Sequence, residues 1–145
     1  MDRDEPIYAL VTGSRFWADR KAVEEELRLL PPHAILVHGD CRGADHLAEE
    51  VWKSWGRKTI ACAVTPDEWK RKGPRAGPER NRHMLEAYPP IVAVAFPLSE
   101  SRGTAHMMGL LHGRNIHFIE RGQDYRTEHH RPQTKISSFF AKQSV

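Results

Sequence analysis

The residues Ile7-Tyr8-Ala9-Leu10-Val11-Thr12-Gly13 form a short apolar run that ends at a glycine. Such a run is typical of a strand that is buried on both faces, because it shows neither strict alternation nor the spacing of an amphipathic helix. Four further runs of this kind lie at residues 34–38, 59–64, 91–96 and 116–119. The sequence therefore predicts about five buried strands.

Segments in which apolar residues recur at helical spacing separate these strands. They lie at residues 20–30, 44–55, 79–88 and 104–111, and prolines or glycines end them. The Pro/Gly/Arg-rich stretch from Thr65 to Pro78 is expected to be a loop. Because strands and helices alternate, the strands must be parallel, with helices on both faces of the sheet. We predict an α/β fold, a Rossmann-like, open, doubly wound parallel sheet with strand order 3-2-1-4-5.

Charge is divided unevenly along the chain. The 145 residues have a formal net charge of +3, but the first 120 contain 17 basic and 17 acidic residues. The excess of positive charge therefore lies in residues 121–145, a polar segment that cannot form a core of its own. We predict one domain over residues 1–120, which is long enough for a single core, and a flexible tail over residues 121–145.

The composition excludes several classes of protein. No apolar run approaches the roughly 20 residues that a membrane span requires, and the acidic start is unlike a secretory signal. Cys41 and Cys62 form no Cys-x-x-Cys pair, and the adjacent His129 and His130 would need metal ligands from elsewhere in the chain. We therefore expect an intracellular protein, with no disulfide framework, no metal and no cofactor.

Three predicted strand ends share one chemistry. Residues 12–15, 39–45 and 99–104 each combine glycine, hydrogen-bond donors and an arginine with the start of a helix. Exposed backbone N–H groups and a helix N-terminus suit a phosphate or another anion. Glycine that merely turns the chain would explain one such loop, but three arginine-bearing loops favour an anion site. None matches Gly-x-Gly-x-x-Gly or the Walker pattern, so an ordinary dinucleotide or triphosphate site is not indicated.

These loops should meet at one crevice, since ligands of doubly wound sheets lie beyond the carboxyl ends of the strands, where the winding reverses. The start of the predicted helix at residues 79–88 is aimed at the same edge, and its arginine suits bidentate phosphate recognition. The predicted ligand-binding residues are Gly13, Ser14, Arg15, Gly39, Gly43, Ala44, Asp45, Arg80, Asn81, Arg102, Gly103 and Thr104.

Several motifs recur in order along residues 7–120, and together they resemble a known family. The resemblance is to the YspA/YpsA-like branch of the SLOG superfamily, which is similar to the Lonely Guy phosphoribohydrolases and to the DNA-processing protein A family. It implies a Rossmann-like domain that binds, senses or cleaves a nucleotide-derived ligand, and it implies a dimer. The motifs are Gly13-Ser14-Arg15, His38-Gly39 with Gly43-Ala44-Asp45, Asp67-x-Trp69, Ala76-Gly77-x-x-Arg80-Asn81-x-x-Met84 and Arg102-Gly103-Thr104-Ala105.

The resemblance also implies where catalysis would occur. Arg80 corresponds to the catalytic arginine of the Lonely Guy enzymes, and Gly103-Thr104 corresponds to their Gly-Gly-Thr-x-x-Glu loop, but no glutamate follows here. His106 could replace that glutamate because its pKa lies near neutrality, and Asp45 and Glu79 are further candidates. Arg80 and His106 are the predicted catalytic residues. Whether the chain is an enzyme stays open, and N-glycosidic hydrolysis of a nucleoside monophosphate is the reaction implied.

The tail contains a second motif, Gln133-x-x-Ile136-x-x-Phe139-Phe140. The last three residues stand at i, i+3 and i+4, so one helical turn places them on the same side. The pattern resembles a PCNA-interacting peptide, and residues 133–140 are the predicted site for a PCNA-type sliding clamp. The chain would then act in DNA replication or repair, in the nucleus or at a cytoplasmic replication site. In the alternative, the two phenylalanines dock onto their own domain.

Two other functions remain open. One is an accessory factor, similar to DNA-processing protein A, that binds single-stranded DNA through a basic stretch. The other is a non-catalytic clamp adaptor with a vestigial crevice. The tryptophans at positions 52, 55 and 69 are expected to pack in the core or against loops rather than to stack on bases. The basic residues of the first alternative are Lys70, Arg71, Lys72, Arg75, Arg80 and Arg82.

Overall fold

The structure, a computed structural model, describes residues 5–99 and 101–131. A short 3₁₀ turn, Gly73–Arg75, joins its third helix to its fourth. The strands and helices in chain order are β1 (Tyr8–Gly13), α1 (Arg20–Leu27), β2 (Ile35–His38), α2 (Ala44–Ser54), β3 (Thr59–Ala61), α3 (Pro66–Lys72), α4 (Ala76–Ala87), β4 (Pro90–Phe96), α5 (Arg102–Gly113), β5 (Phe118–Arg121) and β6 (Arg126–His129).

The strands form one sheet in the order β3-β2-β1-β4-β5-β6. β1 to β5 are parallel, and β6 is antiparallel to β5. The predicted α/β fold and the predicted order of the first five strands are therefore confirmed. The sixth strand was not predicted.

Each face of the sheet has its own core. Leu10 and Val11 are successive residues of β1, and their side chains point to opposite faces. Val11 packs with buried residues of α1 and α2, whereas Leu10 packs with buried residues of α4 and α5. Helices therefore cover both faces, which leaves the ends of the strands as the place where loops can form a site.

The stretch from Thr65 to Pro78 is helical rather than a loop. A capping box begins α3, because the Thr65 hydroxyl accepts a bond from the backbone N–H of Glu68 at 3.1 Å and the Glu68 carboxylate accepts one from the backbone N–H of Thr65 at 3.3 Å. Pro66 occupies the first helical position, where its missing N–H costs nothing. α4 begins at Ala76, three residues before the predicted start.

The domain extends beyond the predicted boundary at residue 120, since β6 lies within the segment that was assigned to the tail. The carboxylate of Glu26 on α1 is 2% exposed and accepts hydrogen bonds from Arg121 at 2.8 Å and from Arg126 at 2.9 Å. A turn in which the backbone N–H of Gly122 bonds to the carbonyl of Tyr125 at 2.8 Å joins the two strands. The ion pairs of Glu26 with Arg121 and Arg126 therefore tie the β5–β6 hairpin to α1.

Residues 132–145, with the predicted clamp motif at 133–140, lie outside the described residues. Within residues 5–99 and 101–131, no helix is both long enough and apolar enough to span a bilayer.

Candidate functional site

A cleft of about 970 Å³ opens at the carboxyl ends of β1 and β2, between the first turns of α2 and α5 and the middle of α4. All three of the predicted glycine loops, at residues 12–15, 39–45 and 99–104, contribute to it, as the topology requires. Phe16, Cys41, Arg42 and Met84 also face the cleft. The predicted residues that line it are Gly13, Ser14, Arg15, Gly39, Asp45, Arg80, Asn81, Arg102, Gly103 and Thr104.

Gly43 and Ala44 do not line the cleft, and instead they support its wall. A side chain at Gly43, whose φ is +76°, would meet the carbonyl oxygen of Ser14 at 2.4 Å, and the backbone N–H of Ala44 donates to that same oxygen at 3.2 Å. A Cβ at Gly13 would strike the Cβ of Ala44. Gly43 therefore lets the two loops pack backbone to backbone, and Gly13 leaves room for the side chain of Ala44.

Arg80 lies over Gly39 and is held by the main chain. Its Nη1 donates to the carbonyl oxygen of Gly39 at 2.7 Å and to that of Cys62 at 3.1 Å, and its Nε donates to Oδ1 of Asn81 at 3.1 Å. A Cβ at position 39 would lie 2.6 Å from Nη1, so only glycine leaves room for the guanidinium. Among the described residues, none of these bonds uses Nη2, which leaves Nη2 and the positive charge for a ligand.

Asp45 is a buried carboxyl group at the start of α2. Its Oδ2 accepts bonds from the backbone N–H groups of Gly39 at 3.0 Å and Cys41 at 3.2 Å. Its Oδ1 is buried and has no hydrogen-bond partner among the described residues. Burial raises the pKa of Asp45 to about 6, against the opposing effects of His38 and of the two N–H groups. Asp45 therefore binds its proton at a pH much closer to neutral than an ordinary aspartate does.

Asn81 links Arg80 to His106. Since its Oδ1 accepts from Arg80, its Nδ2 points to the carbonyl of Gly103 at 3.4 Å and to Nδ1 of His106 at 3.1 Å. Nδ1 of His106 must then accept, which assigns the ring proton to Nε2. Burial, with the nearby charge of Arg82, lowers the pKa of His106. His106 itself is not among the residues that line the cleft, so its imidazole is a neutral partner behind Asn81.

The rim of the cleft is basic. Arg15, Arg42 and Arg102 are exposed, and none of them forms an ion pair with an acidic residue in the described part of the chain. α5 has no acidic residue in its first turn, and its N-cap, Ser101, makes no side-chain bond to the helix. The N–H groups at the start of α5 therefore add to the positive potential.

Phe16 is a cleft residue that the sequence did not predict. It is 66% exposed, and the guanidinium of Arg15 lies 5.0 Å from the centre of its ring. The hydroxyl oxygen of Ser14 accepts the backbone N–H of Phe16 at 3.0 Å, which fixes the turn and leaves the hydroxyl hydrogen to donate elsewhere. A large apolar side chain directly after Gly-Ser-Arg was the available signal.

Other predicted residues lie away from the cleft. Glu79 pairs with Lys72 at 2.9 Å, and that hydrogen bond holds its pKa below the ordinary value, so Glu79 is not suited to supply a proton. Trp52 is buried and Trp55 is partly buried, in line with their predicted packing role. Trp69 is 50% exposed, and Cη2 of its ring lies 3.8 Å from where a Cβ would stand at Gly77, so it packs in part against the segment after α3.

One curated protein identifies the family of this chain. The gene 61 protein of Mycobacterium phage D29 is 41% identical in an alignment of 107 positions that covers 68% of this chain and 83% of the phage protein. The chain belongs to the gene 61 protein family. No protein-family model matches this gene 61 family member.

A solved structure, DNA processing protein A (DprA) from Streptococcus pneumoniae, is similar to this member of the gene 61 protein family with 21% identity and a TM-score of 0.48. The match covers 82% of this chain and 60% of DprA. The gene 61 family member thus spans about three fifths of the length of DprA.

Proposed function

We propose that the cleft binds a nucleotide or a nucleotide-derived ligand through its phosphate. The observation that carries the proposal is the charge of the cleft: four arginines line it, and Asp45 is the one acidic residue among its described lining residues. Three of the arginines are exposed at the rim, where a phosphate could receive bidentate hydrogen bonds. The hydroxyl of Ser14 and the N–H groups at the start of α5 supply further donors.

The other half of the ligand is a flat base. Phe16 offers an exposed aromatic face beside Arg15, and a base stacked on such a face gains about 1–3 kcal/mol. Small-molecule pockets usually enclose about 300–1,000 Å³, so a cleft of about 970 Å³ accommodates a nucleoside monophosphate with room for water.

Calorimetric titration with AMP, ribose 5-phosphate and adenosine tests this proposal. Arg102→Gln should weaken AMP binding by about tenfold or more, since a hydrogen bond to a charged group contributes about 1.5–3 kcal/mol. Arg114→Gln is the matched control, because it removes the same charge from the opposite end of α5. Equal AMP affinity of the two variants, or no binding by the wild type, would contradict the proposal.

Phe16→Ala separates the base from the phosphate. This variant should bind AMP about tenfold more weakly and should bind ribose 5-phosphate with unchanged affinity, because only the stacking contact is lost. A parallel loss for both ligands would mean that Phe16 shapes the loop at Ser14 rather than stacking on a base.

Hydrolysis of the N-glycosidic bond of a nucleoside 5′-monophosphate is the reaction that we propose for this site. Asp45 is better suited than His106 to protonate the departing base, because Asp45 lines the cleft and its pKa lies at about 6. Arg80 would hold the phosphate or assist cleavage through Nη2 and its positive charge. Wild-type protein incubated with a panel of nucleoside monophosphates should release free base, and Asp45→Asn should release much less. An absence of free base would exclude the reaction but not the binding.

We also propose that residues 133–140 recruit the protein to a PCNA-type sliding clamp. The support is the sequence motif, in which the aliphatic and aromatic side chains would fill an apolar pocket and Gln133 a smaller polar one. A peptide of residues 129–145 should bind PCNA in a calorimeter, and the double substitution of Phe139 and Phe140 by alanine should abolish binding. An undiminished signal from the double variant would exclude this assignment.

Direct binding of single-stranded DNA is the second candidate function, and the exposure of Trp69 favours it. Lys70 and Arg71 on α3 and Arg75 and Arg82 nearby are exposed as well, so an aromatic face lies among basic side chains, as in proteins that bind single strands. Lys72 is paired with Glu68 and Glu79, and Arg80 is bound to carbonyls, so these two contribute less than the sequence suggested.

Fluorescence anisotropy with a labelled oligonucleotide separates the two functions. DNA binding predicts an affinity that falls steeply with salt and that Trp69→Ala weakens, whereas Phe16→Ala leaves it unchanged. If no oligonucleotide binds at low salt, the second candidate is excluded.

A further inference from the structure

Three side chains with metal-ligating atoms meet at the edge strand of the sheet. They are His117, which directly precedes β5, Glu128 of β6, and His130, which directly follows β6. One ligand atom from each lies within 4.8 Å of those of the other two. Nε2 of His130 is 3.2 Å from Oε2 of Glu128, and the two imidazole rings are 5.0 Å apart.

The register of the hairpin brings these residues together. The antiparallel pairing sets Phe118 opposite His129, so the residue before Phe118 lies across from the residue after His129. Side chains alternate between the faces of a strand, which places Glu128 and His130 on one face and His129 on the other, stacked on Phe118 at 4.3 Å. The cluster is therefore a consequence of β6, the strand that the sequence did not predict.

Arg126 orients the carboxylate of this cluster. It donates a hydrogen bond to Oε1 of Glu128 at 3.0 Å, which leaves Oε2 on the side of His130. Metal binding requires neutral imidazole and ionised carboxylate, since these are the forms with free lone pairs.

We propose that His117, Glu128 and His130 form a site for a divalent transition metal ion of the Zn²⁺ class, with water as the fourth ligand. Two imidazoles and a carboxylate are a donor set that zinc accepts, whereas Mg²⁺ and Ca²⁺ prefer oxygen ligands throughout. Ligand atoms around tetrahedral zinc lie roughly 3.3 Å apart, given metal–ligand bonds of about 2.0–2.1 Å, and the pair on β6 already has nearly that separation. The ion would fasten β6 to the residue before β5, and this site is independent of the cleft.

The test uses the full chain without a histidine tag. A titration of Zn²⁺ in competition with a chromophoric chelator should give one site per chain, and Co²⁺ should give the intense visible absorption of a tetrahedral complex. His117→Ala and His130→Ala should each weaken Zn²⁺ binding by more than about tenfold. His33→Ala, which removes an exposed histidine from the segment between α1 and β2, is the control and should leave the affinity unchanged.

Glu128→Gln keeps the shape of the side chain and should also lose at least about tenfold in affinity, and circular dichroism in chelator verifies that each variant is folded. Added Zn²⁺ should raise the unfolding temperature of the wild type but not of His130→Ala, because an ion that binds only the folded state stabilises it. The proposal is wrong if the wild type binds no stoichiometric Zn²⁺, or if both histidine variants bind it as the wild type does.

Discussion

The buried carboxyl group of Asp45 should make the stability of the fold depend on pH. Its pKa lies at about 6 in the folded chain, against an ordinary value of 3.8. Because the folded state binds this proton more tightly than the unfolded state, the stabilising contribution is complete below pH 3.8 and is lost as the pH rises through 6. At about 1.4 kcal/mol for each pKa unit, the contribution is about 3 kcal/mol in total, and roughly 2 kcal/mol of it is lost between pH 4.5 and 7.5.

Asp45→Asn removes this titration with little change of shape. The amide oxygen can accept the N–H groups of Gly39 and Cys41, and the amide nitrogen takes the place of Oδ1, the atom without a partner among the described residues. Urea unfolding followed by tryptophan fluorescence, at several values between pH 4.5 and 7.5, measures the free energy of unfolding. As the pH rises from 4.5 to 7.5, the free energy of unfolding of the variant should increase by about 2 kcal/mol relative to that of the wild type.

The control for this measurement is Asp124→Asn, an exposed aspartate in the β5–β6 turn. Its difference from the wild type should stay constant with pH. If the difference for Asp45→Asn is constant as well, then the burial of Asp45 does not perturb its protonation, and Asp45 loses its assigned role as a proton donor near neutral pH.

Two further predictions concern contacts that hold the hairpin and the cleft. Glu26→Gln should lower the free energy of unfolding by about 2–3 kcal/mol, because it removes the buried charge that two guanidinium groups share and leaves each with a single, more exposed carboxylate. Glu25→Gln, which loses one exposed pair, should cost less than about 1 kcal/mol. Equal losses in urea unfolding would contradict this. Gly39→Ala should weaken AMP binding by about tenfold, since hydrogen bonds of Arg80 worth roughly 1–3 kcal/mol must break to admit the Cβ. Gly109→Ala, with no heavy atom within 4 Å of the added Cβ, is the control in the same titration, and a matching affinity of the two variants would show that Arg80 need not be held.

The sheet and the position of the cleft could be predicted because they follow from local patterns and from rules of connection. The apolar runs at β1, β2 and β4 predict buried strands directly, and right-handed crossovers then determine the strand order. Once the carboxyl ends of parallel strands share an edge, the loops that follow β1 and β2 must meet there. The glycines of these loops were visible in the sequence, but the reason why each position needs glycine was not. Gly39 makes room for Arg80, whereas Gly43 makes room for the loop at Ser14.

What could not be predicted depends on contacts between distant residues. β6 is a polar strand, and the partner that holds it, Glu26, is 100 residues from Arg126. The carbonyl groups that hold Arg80 lie 41 and 18 residues away from it in sequence. The helix α3 is different, because Thr65 and Glu68 carried its capping signal in the sequence and the neighbouring prolines and glycines concealed it.

The electron density of crystals grown with saturating AMP would show directly where a nucleotide binds. We expect a phosphate bound by Ser14, Arg15 and the start of α5, with Arg102 over it and the base on the face of Phe16. An empty cleft, or a nucleotide bound along α3 beside Trp69 instead, would contradict it.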